Sequence, residues 1–283
     1  MQVEQITDKA DWRALTNRAH APLAQRWLYG AAAQAVGREA RRVLVMDGDR
    51  PVAVAQSVCR KVGGVSFGLV TQGPLFIAPC DPRRVLKTLH RALPRLTVMT
   101  PSTHMRRWSL SAATPTLVLD LTQDTGHLRS GLNGKWRNAL KNAESKRLKV
   151  AWITATEAAL IPLLQSEKAR QSQGHYRALP PEFTLALLAA APRAFRLFEA
   201  ADAQMLFLRH GNTATYQMGY AGPDGRAANA HNLILWEAMM RLKAEGVERL
   251  DLGTFDAVKA PDLARFKMRT GGAQVVWAPA QLL

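Results

Sequence analysis

The sequence predicts an α/β fold on mixed sheets (α+β in the arrangement of its strands), in two tandem copies. Three observations predict it. The second half reads as strand, two helices, three strands in a row, long helix, strand, short helix, strand. That order sets an antiparallel meander beside a strand–helix–strand crossover, which makes a mixed sheet. The first half repeats a rougher version: helices, three strands, helix, strand and a further strand. Between the halves, Asn133 and Gly134 break the chain ahead of a basic helical run. The reading is a first domain over residues 1–127 and a second over 128–283, the second opening with a basic helix at 135–147.

Residues 11–37 read as helical, with Trp12, Leu15, Leu23, Trp27 and Leu28 as apolar anchors, and Pro22 begins a second helix because proline fits a first turn. Residues 42–46 form a strand, 47–49 a turn, and 51–60 and 62–70 two more strands, punctuated by Gly63, Gly64 and Gly68. Residues 81–93 form a helix that Asp81 caps, with Pro82 in its first turn. Strands follow at 96–100 and 116–121. The basic helix places Trp136, Leu140 and Ala143 on one apolar stripe, and Arg137, Lys141 and Glu144 on the flanking face. After it come a strand at 150–154, helices at 157–173 and 181–191, and meander strands at 194–200, 204–209 and 213–221. Gly222-Pro223-Asp224-Gly225 ends the meander. The long helix runs 231–245 and closes on Gly246. A strand at 247–253, a short helix at 262–269, the Gly271-Gly272 stop and a strand at 273–278 complete the chain.

The chain has 283 residues, 38 Lys or Arg against 22 Asp or Glu, and a formal charge of +16. A protein this basic attracts polyanions such as RNA, anionic lipid or phosphorylated substrates, although a general surplus of surface arginine gives the same sum. Seven of the basic residues fall between Leu128 and Val150, which favours a dedicated surface. No stretch reaches eighteen uncharged apolar residues, so no membrane span is predicted. The N-terminus lacks a basic region followed by an apolar run, so no secretory signal is predicted. Cys59 and Cys80 make no CxxC spacing and support neither a disulfide framework nor a zinc site, which suits a reducing, cytoplasmic interior. GGVSFGLVTQG matches neither the GxxxxGK[ST] nor the GxGxxG phosphate loop. The stretch 103–108 (THMRRW) reads either as a surface loop or as a contact with substrate or nucleic acid.

KWRNALKNAESKRLKV, then a meander, then AHNLILWEAMMRLKAEGVERLDLG and DLARFKMRTGG resembles the Fem family of aminoacyl-tRNA-dependent peptidyltransferases. The resemblance covers about residues 128–277. It rests on Arg137, Lys141, Ala143 and Glu144 in the basic helix and on Phe266, Lys267 and Gly271-Gly272 near the end. It implies two tandem GNAT-like domains, the first of them degenerate. It also implies transfer of an amino acid from aminoacyl-tRNA to an amine, on a peptidoglycan precursor or a small peptide or metabolite. That activity needs no ATP, metal or other cofactor, and it belongs to cell-wall biogenesis or secondary metabolism. Relatives on the same fold use acyl-CoA, held by an RxxGxG-type loop before the long helix. Here that place reads AGPDGRAANAHN, with Arg226 present and the glycine spacing poor.

Acyl transfer from an ester to an amine needs a neutral amine, held partners and a stabilised oxyanion. An aminoacyl ester is already activated, and the chain has no GxSxG motif. The resemblance assigns Lys267 to the developing oxyanion or to a substrate phosphate; otherwise it is a solvated helix lysine. Asp251, between Leu250 and Leu252, faces away from the core and can orient the amine or accept its proton, or it pairs with an arginine. Tyr216, beside Gln217 on the third meander strand, is placed where GNAT-like relatives hold substrate-facing groups. Arg137 and Lys141, one turn apart, are candidates to clamp a phosphate or the tRNA backbone, helped by Arg265 and Arg269 and more weakly by Lys135, Lys146 and Arg147. Asn232, at the start of the long helix, is a candidate either to cap it or to meet the acceptor end, where Arg226 is also a candidate. The competing readings are an acyl-CoA N-acyltransferase and a non-catalytic module that binds RNA or makes peripheral contact with an anionic membrane.

Overall fold

The structure, a computed structural model, describes residues 1–102, 109–174 and 179–283. The stretch 103–108, read as a loop or contact, lies outside the described residues. The chain divides into two compact units, Met1–Thr114 with Val276–Leu283, and Pro115–Val275. The boundary expected at 127/128 is thus corrected to 114/115. The strand around residues 116–120 pairs with the strand that carries Asp251, Leu119 opposite Leu250, and so belongs to the second sheet.

The first unit contains β1 (Gln2–Gln5), α1 (Lys9–Arg18), α2 (Trp27–Ala35), β2 (Glu39–Asp47), β3 (Arg50–Val62), β4 (Val65–Val70), β5 (Leu75–Phe76), α3 (Pro82–Ala92), β6 (Leu96–Met99) and, from the C-terminus, β14 (Gln281–Leu282). Its sheet runs β1-β2-β3-β4-β6-β14, with β5 beside β3. The pairings are antiparallel except β4 with β6. Asp8 caps α1 through Ala10 N at 2.7 Å and Asp11 N at 2.9 Å. Asp81 caps α3 through Arg83 N at 2.9 Å. One face of the sheet is covered by α3, whose Val85, Leu86 and Leu89 join Val45, Ala53, Val70 and Met99. The other face meets Trp12 and Ala21 at Leu44 and Val54. Gly63 and Gly64 both have positive φ, which a two-residue hairpin between β3 and β4 requires.

The second unit contains β7 (Thr114–Asp120), α4 (Thr125–Gly131), α5 (Gly134–Ser145), β8 (Ala151–Ile153), α6 (Glu157–Gly174), α7 (Pro181–Ala190), β9 (Phe195–Ala200), β10 (Ala203–His210), β11 (Thr213–Ala221), α8 (Pro223–Ala227), α9 (Ala230–Ala244), β12 (Arg249–Thr254), α10 (Pro261–Met268) and β13 (Ala273–Trp277). The sheet order is β13-β7-β12-β11-β10-β9-β8. Asn133 starts α5 by accepting from Lys135 N at 3.0 Å. Trp136, Leu140 and Ala143 are buried in one core with Leu233, Ile234, Met239 and Leu242 of α9. The end of α9 is set by Gly246 at φ +79°, after which Val247 N donates back to Leu242 O at 3.0 Å. Among the described residues no helix is long and apolar enough to cross a membrane.

Candidate active site

The site forms where two central strands of the second unit part. β11 and β12 run parallel and pair only from Thr213 with Arg249 to Thr215 with Asp251, although both strands continue. Two irregularities drive them apart. On β11 the register against β10 slips at Gln217, so that Tyr216 opposes Phe207 and Met218 opposes Leu206. On β12 the register against β7 slips between Asp251 and Thr254, and Gly253 takes φ +76°. Bulges of this kind re-aim side chains and end pairing. Freed backbone groups and the side chains of Tyr216 and Asp251 therefore border the opening.

Lys267 enters from α10 and is only 5% exposed, so it is not a solvated helix lysine. Its Nζ donates to Thr254 O at 2.8 Å and lies 5.5 Å from the Tyr216 ring centroid. Among the described residues no carboxylate forms an ion pair with it. Burial lowers its pKa from 10.5 to about 8, and the charges of Asp251 and Glu167 oppose that shift. Asp251 sits between the buried Leu250 and Leu252, turned away from the core and only partly exposed. Its Oδ1 accepts from Gly253 N at 2.7 Å. Burial raises its pKa to about 6, against that hydrogen bond and the Lys267 charge. Gly253 lies next to the ammonium and β11: a Cβ there would stand 3.7 Å from Lys267 Nζ and 3.7 Å from Tyr216 O. The result is a cationic donor and an acid, both of displaced pKa, at the opening in the sheet, a pattern common at reaction centres.

A pocket of about 310 Å³ lies farther along β11, lined by Ser166, Ala169, Arg170, Gly219, Tyr220, Ala221, Arg226 and His231. Arg170 reaches it from α6, pairs with Glu167 and donates to Gly219 O at 2.7 Å. Arg226 Nε donates to Ala221 O at 2.9 Å. His231 Nε2 lies 2.8 Å from Tyr220 O, and burial lowers its pKa. Two guanidinium groups and an imidazole thus face one cavity. The turn before it is closed by the chain's own acid. The Asp202 carboxylate accepts from Gly225 N and, at 3.3 Å, from Asp224 N at the start of α8. A Cβ at Gly222 or Gly225 would stand 2.0 or 2.7 Å from an Asp202 oxygen, so these glycines admit Asp202.

The remaining candidates from the sequence do not all converge. Arg265 is exposed on α10, 3.2 Å from Asp262, while Lys267 turns inward. Arg269 is half-buried, and its carbonyl accepts from Asn133 N at 2.9 Å. Arg137 donates to Ser130 O at 3.2 Å, leaving exposed Lys141 without a shared clamp. Lys146 donates to Ala227 O at 2.7 Å, and Lys135 and Arg147 are exposed. Asn232 is buried in the first turn of α9, one turn after Asn229, which holds the cap position at φ +55°. Trp136 packs 5.9 Å from Phe266 and steadies α10 from within the core. Sequence reasoning missed Glu167, Arg170, Asp202 and His231. None of them carried a local signal: even Asp202, in the turn between β9 and β10, meets its glycine-bearing partner turn only after β10 and β11 have intervened. Among the described residues no group of three His, Cys, Asp or Glu is placed to hold a metal ion.

Residues 126–268, half of the chain, match the family model described as an acetyltransferase (GNAT) domain. The chain belongs to this family. It is an acyltransferase, and the parted strands, Lys267 and the pocket all fall within or at the edges of the matched GNAT region. The FemX crystal structure is similar over 100% of this chain and 98% of that chain, at 12% identity and a TM-score of 0.76. A conserved protein of unknown function from Bacteroides thetaiotaomicron gives 11% identity and a TM-score of 0.60 over 97% of each chain. L-PGS from Bacillus licheniformis gives 10% and 0.51, over 98% of this chain and 92% of that one. At these identities the likeness is one of fold: a FemX-like fold with tandem GNAT-like units. A search of curated protein sequences finds no match.

Proposed function

We propose that this acyltransferase moves an aminoacyl group from aminoacyl-tRNA to an amine and forms an amide. The observation that carries the reading is the buried Lys267 ammonium at the opening between β11 and β12, where its charge and that of Asp251 act on each other. The amine nitrogen attacks the ester carbonyl carbon, the C–N bond forms, and Asp251 takes the proton that the nitrogen sheds. The carbonyl oxygen becomes anionic and receives a hydrogen bond from Lys267 Nζ, which low dielectric strengthens. Collapse breaks the ester C–O bond, and the ribose oxygen leaves with a proton returned from Asp251. At pH 7 Lys267, with a pKa near 8, is about nine-tenths charged and Asp251, near 6, is mostly ionised. Both groups stand in the states the step requires, and no further cofactor enters it.

The choice of donor rests on Asp202. An acyl-CoA needs free N–H groups for its diphosphate before the long helix. Here the N–H groups of Asp224 and Gly225 already serve a carboxylate, and the glycines that would admit a phosphate admit Asp202. The residues do not fit a CoA diphosphate at that turn. The Arg170–Arg226–His231 pocket supplies a separate place for a single phosphate, such as that near a tRNA 3′ end. The exposed cations of α5, including Lys135, Lys141 and Arg147, supply backbone contacts. The acceptor is a phosphorylated or peptide amine, a cell-wall precursor or a small peptide. The fold likeness to FemX and L-PGS agrees with this reading.

The test is transfer from a pool of tRNA charged with labelled amino acids, with purified protein and a cytosolic metabolite extract as acceptor. Acid-stable label that vanishes after ribonuclease treatment and with Lys267→Ala supports the proposal. Turnover on an acyl-CoA panel with none from charged tRNA overturns it.

A further inference from the structure

On the sheet of the first unit, β4 alternates in burial, yet its open face is not polar. Val65, Phe67 and Leu69 point to one side, Gly68 and Val70 to the buried side. Register extends the open face across neighbouring strands. Val62 of β3 opposes Val65, Leu96 of β6 opposes Phe67, and Leu282 of β14 opposes Val98, which itself opposes Leu69. These six large apolar side chains, Val62, Val65, Phe67, Leu69, Leu96 and Leu282, are each 40–48% exposed. The same face is covered by Trp12 and Ala21 farther back, at Leu44 and Val54. A half-solvated sheet ordinarily turns polar residues outward, so an apolar face of this extent marks a contact.

Charge narrows the occupant. Between Pro51 and Leu119 the chain carries nine Lys or Arg and one acid, Asp81. Arg60 stands on the apolar face opposite Phe67, Lys61 beside it at the hairpin tip, and Arg95 immediately before Leu96; all three are exposed. None of them forms an ion pair within the described residues. A second copy of this face would set these cations against their like. RNA would satisfy the cations and leave the apolar side chains in water. An anionic bilayer satisfies both, since basic groups meet headgroups while Phe, Leu and Val enter the acyl boundary. We infer that the β3–β4–β6–β14 face docks peripherally on an anionic membrane, with the Val62–Val65 hairpin and Phe67 seated in the interface. An acceptor carried on that membrane would then be met where it resides.

Co-sedimentation with vesicles tests this without tRNA or acceptor, so its failure leaves the aminoacyl-transfer reading standing. The full chain is expected to bind vesicles of phosphatidylcholine mixed with phosphatidylglycerol, to release in high salt, and to ignore phosphatidylcholine alone. Phe67→Ser with Leu69→Ser should weaken partition about tenfold or more. Arg60→Glu with Lys61→Glu should do the same through charge. Because these side chains are exposed, unchanged circular dichroism and melting are expected; Leu96→Ser with Leu282→Ser serves if the first pair misfolds. Absence of binding by the wild-type chain overturns the inference, as does binding that survives these variants. So does a wild-type dimer in sedimentation equilibrium that the Phe67 and Leu69 changes dissociate, which would assign the face to a second copy.

Discussion

Replacing Lys267 by Met keeps the length of the side chain and removes the ammonium, and the structure sets magnitudes on two consequences. The first is catalytic. Loss of one preorganised donor to an oxyanion costs about 10²–10³ in kcat. The second is a pH-dependent stability difference. The unfolded chain holds the lysine proton up to 10.5, and the folded chain releases it at about 8. Between those values the unfolded state binds more protons, so wild-type stability rises with pH across that window. At 1.36 kcal/mol per pKa unit, the rise is about 3 kcal/mol and is complete above 10.5. Lys267→Met lacks the group and should show none of it. Urea unfolding of both proteins between pH 7.5 and pH 10.5 measures the difference without any substrate, and single-turnover transfer from charged tRNA measures the rate. Parallel stability curves, or a variant within threefold of the wild-type rate, would refute the reasoning that a buried ammonium is maintained for the reaction.

Further expectations follow from the same geometry. Asp251→Asn should lower kcat about 10²–10⁴-fold and abolish the acid limb of the pH–rate profile. In the wild type that limb rises through about pH 6 as Asp251 ionises, and activity falls again above about pH 8 as Lys267 loses its proton. Arg170→Ala with Arg226→Ala should raise KM for the charged tRNA while kcat changes little, read from initial rates across donor concentrations; an unchanged KM would remove the pocket from donor binding. Asp202→Ala leaves the first N–H groups of α8 without their carboxylate and should cost about 1–2 kcal/mol, seen as a lower Tm. Glu245 holds Arg196 through contacts of 3.0, 3.1 and 2.8 Å, both side chains being largely buried, so Glu245→Ala should cost about 3 kcal/mol in chemical denaturation.

Much of the architecture was legible in the sequence because its signals are local. The stripe of Trp136, Leu140 and Ala143, the Asp81–Pro82 helix start and the Gly246 stop each depend on residues within one or two turns. The elements that escaped notice are short: β1, β5, α4, α8 and β14 span too few residues for periodicity to show. The domain boundary was misplaced for another reason. β7 and β14 choose their partners across long sequence separations, and a strand's own composition does not say which sheet receives it.

By itself the sequence determined the fold class, the basic surface of α5 and, through the phrase around Phe266 and Lys267, the residue on which the proposed chemistry rests. It also put Asp251 on the side of its strand away from Leu250 and Leu252, since alternation is a property of the strand alone. Only the tertiary structure decided that Lys267 is buried and Arg265 is not, because burial depends on what α10 packs against. It alone brought Asp202 onto the start of α8 and Arg170 beside Arg226 and His231. Desolvation, and with it the displaced pKa values of Lys267 and Asp251, comes from the whole surrounding core, which no stretch of sequence carries.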